Sequence, residues 1–273
     1  LLAAALLDLG GNAVQEDDRG WITHLPATWD PGEPEALATE LAAETGLDDL
    51  DLLLDWQDHA DWSELWKAGL EPRRVTPRLV ITPSWKIPDL QPGDLCITLD
   101  PGMAFGNAEH GTTRGCLRLM DPVVCEGDRV LDVGAGSAVL SIAAAMMGAT
   151  RVEAIEADDQ AVPTARENVA DNGVADRVTV ELLRADAEAL AARGREAAEA
   201  GHPYDLVIAN IEGFLLAPLL PGLAAATRPG GYLLLSGILV EEWEEYRPRV
   251  EAQGVRTEAV DEDGIWVSAR FVR

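Results

Sequence analysis

From residue 127 onward, short and nearly unbroken apolar runs alternate with longer segments whose apolar residues recur every three to four positions. The runs Arg129–Val133, Arg151–Glu156, Val178–Leu183, Asp205–Asn210 and Tyr232–Ser236 read as strands buried on both faces. Between them the spacing predicts helices at about Ala138–Met147, Asp159–Asn172, Ala185–Ala200 and Gly213–Thr227. The Ala185–Ala200 segment, rich in Ala, Glu and Arg, reads as an exposed helical insertion. A helix near Val240–Gln253 leads into two extended runs, Val255–Val260 and Ile265–Val272, joined as a hairpin through Asp261-Glu262-Asp263-Gly264. This order predicts a doubly wound α/β unit whose mostly parallel sheet ends in an antiparallel pair.

The first 56 residues follow a different rhythm. A helix at Leu1–Leu9 precedes extended runs at Ala13–Glu16 and Gly20–Leu25, and a second helix at Glu35–Thr45 places Leu37 and Leu41 on one face. Leu50–Trp56 reads as a closing strand. The order α-β-β-α-β is a ferredoxin-like unit without its first strand, and such units often dock partners. Residues 57–95 read as a connector, with Trp62, Trp66 and Trp85 among five prolines at Pro72, Pro77, Pro83, Pro88 and Pro92. Tryptophans there imply packing between domains, with substrate contact as the other reading. The expected organisation is therefore 1–56, 57–95 and 96–273.

Composition narrows the picture. The 273 residues are 47% apolar, ample for a large core, and no run is long enough to span a membrane. Leu1–Leu7 lacks a basic flank and is followed by Asp8, so it reads as a helix in a chain that starts upstream rather than as a signal peptide. Cys96, Cys116 and Cys125 have no metal-ligand spacing, which suits a reducing, cytoplasmic setting and predicts no metal. The net charge of −27, with Lys67 and Lys86 the only lysines, disfavours binding to a nucleic-acid backbone. The dispersed acids fit adaptation to high salt; attraction of a basic partner is the second reading.

The chemistry concentrates at Val130-Leu131-Asp132-Val133-Gly134-Ala135-Gly136-Ser137, where a buried strand bends through two glycines into a helix. Such a turn presents main-chain atoms to a polar cofactor. A third glycine is missing at Ala138, so the dinucleotide fingerprint is incomplete. Asp132, just before the turn, would repel a pyrophosphate but could serve an ammonium group. Glu156 ends the next strand, 22 residues after Gly134, where an acid can hold ribose hydroxyls. Asp186 follows the third strand and could bond an adenine amine or cap a helix. These acids around one pocket favour a cationic amino-acid nucleoside, S-adenosylmethionine, over a dinucleotide.

Leu131–Ser137 followed by Ala154-Ile155-Glu156-Ala157-Asp158 resembles the class I methyltransferase core. Leu99-Asp100-Pro101-Gly102-Met103-Ala104-Phe105-Gly106 with His110 and Thr112-Thr113, Ala209-Asn210-Ile211, and Leu235–Leu239 are more specific. Together they resemble the bacterial methyltransferases of ribosomal protein L11, over roughly residues 50–273. The resemblance implies a Rossmann-like domain with a seven-stranded sheet, an N-terminal ferredoxin-like domain that grips the substrate, and methylation of lysine side-chain and N-terminal amines on a basic ribosomal protein. It implies cofactor contacts at Thr113, Gly134, Glu156 and Asn210, with Gly136 in the same turn. Phe105, Gly106 and Thr112 belong to a lid. Other targets of the same chemistry, or a noncatalytic role in ribosome assembly, remain the alternatives.

Three single positions and one short segment depart from the family pattern. Glu156 stands where Asp is commoner, and Ala138 replaces a glycine. The lid reads Asn107-Ala108-Glu109-His110-Gly111, and Glu212 follows Asn210-Ile211 where Leu is usual. For methyl transfer to an amine, geometry and a neutral nucleophile matter more than a strong base. Asn210 is expected to orient the amine through its side-chain oxygen. His110 is expected either to relay the proton or to support the lid. Thr113 would bond the methionine part of the cofactor, or else cap a helix.

Overall fold

In the computed structural model the described residues are 5–6, 14–17, 20–23, 34–45, 70–100, 105–106 and 109–273. The chain divides into two compact units, Leu1–Ala68 and Gly69–Arg273. In the first, β1 (Val14–Asp17) pairs antiparallel with β2 (Gly20–Thr23), and α1 spans Pro34–Thr45. Proline suits the first turn of α1 because its missing N–H has no helical partner there. Leu37 and Leu41 are buried as their four-residue spacing requires. The expected strand Leu50–Trp56, Trp62 and Trp66 lie outside the described residues.

The second unit begins with β3 (Arg73–Arg74), β4 (Leu79–Thr82) and β5 (Leu95–Thr98), a small sheet in the order β3-β4-β5. β3 and β4 fall inside the segment whose prolines suggested only a connector, and β5 starts at its end. Pro77, Pro83, Pro88 and Pro92 fall between the strands, while Leu79, Ile81 and Ile97 enter the main core.

The large sheet is built from β6 (Arg129–Val133), β7 (Arg151–Glu156), β8 (Val178–Leu182), β9 (Tyr204–Asn210), β10 (Thr227–Leu239), β11 (Arg256–Asp263) and β12 (Trp266–Val272). Its order is β11-β12-β10-β9-β6-β7-β8, parallel except that β12 runs antiparallel to both neighbours. Helices α2 (Gly111–Met120), α3 (Val139–Met147), α4 (Ala161–Asp171), α5 (Ala187–Glu199), α6 (Gly213–Leu216), α7 (Leu220–Ala226) and α8 (Val240–Glu251) complete the unit. Alternate strand residues feed two apolar layers: Val130, Leu206, Ile208 and Leu234 in one, Leu131, Val207, Ala209, Leu233 and Leu235 in the other. That period-two division is why the strands read as continuous apolar runs.

Three segments differ from the sequence expectation. The Ala185–Ala200 region is not an exposed insertion: α5 buries Leu190, and an added Cβ at Gly194 would strike the Ala226 backbone. It is the crossover between two parallel strands, a position its polar composition disguised. The long helix expected at Gly213–Thr227 breaks into α6, a 3-10 turn at Ala217–Leu219 and α7, as Pro218 and Pro221 require. The hairpin turn also moves. Asp261 and Asp263 remain in β11, Asp263 pairs with Trp266, and the loop is Gly264-Ile265. Arginines on α2 neutralise both aspartates, so residues that locally favour a turn stay extended.

Candidate functional site

Strands β6 and β9 are adjacent and parallel, and successive strands are laid down outward from them in opposite directions. Their carboxyl ends therefore form the topological switch point, where doubly wound sheets leave a crevice. The glycine turn follows β6 and Asn210 ends β9, so both arrive at that crevice.

The turn is held from several sides. Gly134 N donates to Ile155 O at 2.9 Å, and Gly136 N donates to Glu156 Oε2 at 2.8 Å. Glu156 Oε1 accepts from Ala157 N and Asp158 N at 2.7 and 2.9 Å. The longer Glu side chain thus stitches the end of β7 to the glycine turn. Gly134 and Gly136 both have left-handed backbone, with φ of 75° and 53°. An alanine Cβ at Gly136 would overlap the Phe105 carbonyl. Ala138 itself adopts φ 64° as the residue capping α3, so the turn keeps its conformation without the third glycine, at the cost of about 1–2 kcal/mol. Asn168 Nδ2 donates to Ser137 O at 2.9 Å from α4.

Phe105 and Gly106 lie directly on this turn. Ser137 N donates to Phe105 O at 2.8 Å, and Ser137 Oγ to Gly106 O at 2.5 Å. Phe105 is 55% exposed and packs edge-on against His110 at 4.9 Å between centroids. His110 Nδ1 lies 2.7 Å from Thr112 Oγ1. Burial, with the Arg114 charge acting in the same direction, lowers the His110 pKa, so its ring is neutral at pH 7. Thr112 and Thr113 are fully buried in the first turn of α2. His110, not Thr113, occupies the N-cap position, so the capping reading of Thr113 does not hold. Ser236, the register partner of Asn210, places its hydroxyl 3.5 Å from Thr112 O, which sets the threonine pair over the ends of β9 and β10.

Among the described residues, two buried polar atoms beside the crevice have no partner: Thr113 Oγ1 and Asp132 Oδ1. The other Asp132 oxygen accepts from Ser141 Oγ at 2.6 Å. An orphaned hydroxyl and an orphaned carboxylate oxygen around a glycine cradle fit a ligand carrying an ammonium group and hydroxyls. Asn210 is 8% exposed, and its side-chain amide makes no hydrogen bond among the described residues. Asp186 instead caps α5, its Oδ1 accepting from Ala189 N at 2.8 Å, which is the capping role weighed for it. Among the described residues no group of three acidic, His or Cys side chains could hold a metal, and no helix is long and apolar enough to cross a membrane. Cys96, Cys116 and Cys125 are free thiols.

Burial pushes the Asp132 carboxyl up to about 6, with the nearby Glu156 charge adding to the shift and Ser141 opposing it. A carboxyl raised on folding contributes stability at low pH that is lost as pH rises through its folded value. The ligand-free protein should therefore lose about 3 kcal/mol from this group between pH 4 and 6. Asp132→Asn should remove that loss and be the more stable form at pH 7.5. Urea midpoints of both proteins at pH 4.5, 6 and 7.5 check this, and a difference independent of pH would refute it.

The unusual residues separate by environment. Glu109 does not face the site freely: Arg73 grips its carboxylate with bonds of 3.1 and 2.7 Å. Glu212 is exposed at the start of α6, and its carboxylate makes no capping bond. Sequence reasoning missed Ser137 and Asn168 as supports of the turn, and Arg114, Asp263 and Trp266 behind the lid. Only the Gly111 and Gly115 spacing hinted at the last group: an added Cβ at Gly111 would come within 2.7 Å of Asp263 O.

A family model described as ribosomal protein L11 methyltransferase matches residues 14–273. A protein of that name from Symbiobacterium thermophilum is 37% identical over 261 residues, spanning 86% of this chain and 82% of the relative. Another, from Pelotomaculum thermopropionicum, is 41% identical over 208 residues, 76% of this chain but 64% of the relative. Among solved structures, the ribosomal protein L11 methylase of Lactobacillus delbrueckii subsp. bulgaricus superposes with a TM-score of 0.62 at 27% identity, covering 74% of this chain and 98% of that one.

Proposed function

This chain belongs to the ribosomal protein L11 methyltransferase family, and on that premise we propose that it methylates lysine side-chain amines, and N-terminal amines, of ribosomal protein L11 using S-adenosylmethionine. The observation that carries the reading is the pairing of the glycine cradle and its orphaned acceptors with Asn210 across the switch point. When bound, S-adenosylmethionine supplies a methyl group already activated on a sulfonium.

The residues of this chain then have separate tasks. Asp132 Oδ1 and Thr113 Oγ1 receive the polar donors of the amino-acid part. Gly134 and Gly136 let the backbone approach closely, and Glu156 Oε2 accepts from a ribose hydroxyl while still holding Gly136 N. Phe105 covers the cofactor and excludes water. The Asn210 side-chain oxygen accepts from the incoming amine and aligns its lone pair with the methyl group. Deprotonating a free lysine at neutral pH costs roughly 4–5 kcal/mol, and a partly desolvated site beside a positive sulfonium lowers that cost. His110 is neutral and can accept the released proton, although its nearest polar partner is Thr112.

The substrate is a basic protein, which suits the −27 charge and the exposed Glu212 two residues beyond Asn210. The same charge opposes direct nucleic-acid binding, and the three free thiols suit the cytoplasm. The exposed Asp186 carboxylate, already capping α5, is assigned to the adenine amine through its second oxygen. The organisation behind this reading is a docking domain within the unit Leu1–Ala68 and a catalytic domain within the unit Gly69–Arg273, which takes in the β3-β4-β5 sheet.

Incubation with methyl-labelled S-adenosylmethionine and unmethylated ribosomal proteins tests the proposal. Label should enter L11. Cofactor binding with no labelled L11 would refute the substrate assignment, and label on another protein's lysines would redirect it.

A further inference from the structure

A cluster of charged side chains lies where the β11–β12 hairpin meets the first turns of α2. Arg114 Nε and Nη2 donate to Asp263 Oδ2 and Oδ1 at 2.8 and 2.5 Å, and its Nη1 donates to Glu109 O at 2.6 Å. One guanidinium therefore joins the hairpin to the backbone of the lid. Asp263 also accepts from Arg118 Nη2 at 2.8 Å, and these two arginines hold its carboxyl well below the usual range. Gly111 brings the helix backbone against the Asp263 carbonyl.

Directly across the ladder from Asp263 stands Trp266. Its ring lies 5.3 Å from that of His110, which also meets the Phe105 ring edge-on at 4.9 Å. An unbroken series of contacts thus runs from Asp263 and Trp266 through Arg114 and His110 to Phe105, whose carbonyl rests on the glycine turn. A second clamp lies one turn further along α2, where Arg118 grips Asp261 with bonds of 2.8 and 2.5 Å. That clamp fastens the same helix and hairpin but does not reach the lid.

We propose that Asp263 and Trp266 are positioning residues, holding Phe105, the Glu109 carbonyl, His110 and the Thr113 turn in the arrangement that receives the cofactor. The inference rests on the cofactor reading above only for its consequence; the mechanical link can be measured without ligand. Hairpin and lid are separated by more than 150 residues in sequence, so their coupling is purely tertiary. Bidentate Arg–carboxylate geometry suits the task because it fixes orientation as well as distance.

Hydrogen exchange of the Phe105, Gly106 and 109–113 amides in the ligand-free chain, paired with calorimetric S-adenosylmethionine affinity, tests it. Asp263→Asn and Trp266→Ala should each speed exchange across this segment and weaken cofactor binding roughly tenfold. Trp266→Phe, which keeps a ring against His110, should restore most of both. Asp261→Asn should lower the melting temperature while leaving exchange and affinity unchanged. The proposal is overturned if Asp263→Asn and Trp266→Ala behave like Asp261→Asn, lowering melting temperature alone. Faster exchange in variants of a parent that binds no cofactor would support the link and refute the cofactor reading instead.

Discussion

Alanine at Gly136 is expected to abolish cofactor binding and to weaken the fold locally. Two penalties combine there. The residue sits at φ 53°, where an L side chain costs about 1–2 kcal/mol. Its new Cβ would also overlap the Phe105 carbonyl, a backbone atom that cannot swing aside like a side-chain tip. Relief requires the lid to lift, which breaks the bond from Ser137 N to Phe105 O and shifts the Gly136 N–H away from Glu156. A stability loss of about 3 kcal/mol and at least a 100-fold loss of affinity are expected. Gly173 provides the control: its φ is 67°, but an added Cβ there meets nothing within 4 Å. Gly173→Ala should show only the backbone penalty and bind the cofactor normally. Thermal melts and calorimetry on both variants decide the matter, and equal effects would show that steric overlap at the lid is not the cause.

Asn210→Ala should do the opposite, sparing the fold while stopping the reaction. The amide is nine-tenths buried yet makes no hydrogen bond among the described residues, so the folded state gains little from it. Its removal should leave the melting temperature nearly unchanged or slightly raised. The methyl-transfer rate should fall by about 100-fold or more, since losing the group that aligns the amine sacrifices orientation. Cofactor affinity should change by less than about threefold if the lost contact belongs to the amine. Single-turnover kinetics at saturating S-adenosylmethionine supply the measurement. A full rate in the variant would end the orienting role, and a matching collapse of cofactor affinity would move Asn210 from the amine to the cofactor.

What could be read from residues alone was local. Strands β6, β7 and β9 showed themselves because burial on both faces leaves unbroken apolar runs. The glycine turn showed itself because its φ values exclude most other residues. Where local preference and tertiary demand conflicted, local reading failed. Asp261 and Asp263 resemble turn residues until Arg114 and Arg118 neutralise them in a strand. Thr113 resembles a cap until His110 takes that position. The polar α5 resembles an insertion until Gly194 and Leu190 press it onto its neighbours. Prolines between β3, β4 and β5 disguised a small sheet as a connector. Glu109 stood out only as a departure from the family pattern; that Arg73, 36 residues earlier, grips its carboxylate is a tertiary fact.

The order of strands and helices, the bend after β6 and the acids at the strand ends were determined by the sequence itself. Side-chain periodicity and backbone dihedral limits act over a few residues, and family motifs add the chemistry they accompany. The tertiary structure alone decided that β6 and β9 lie side by side and bring Gly136 and Asn210 to one crevice. It also decided that, among the described residues, Asp132 and Thr113 keep unpaired polar atoms there, and that the β11–β12 hairpin packs against His110 and Arg114. Those outcomes depend on which distant groups exclude water from one another, and no short stretch of chain contains that information.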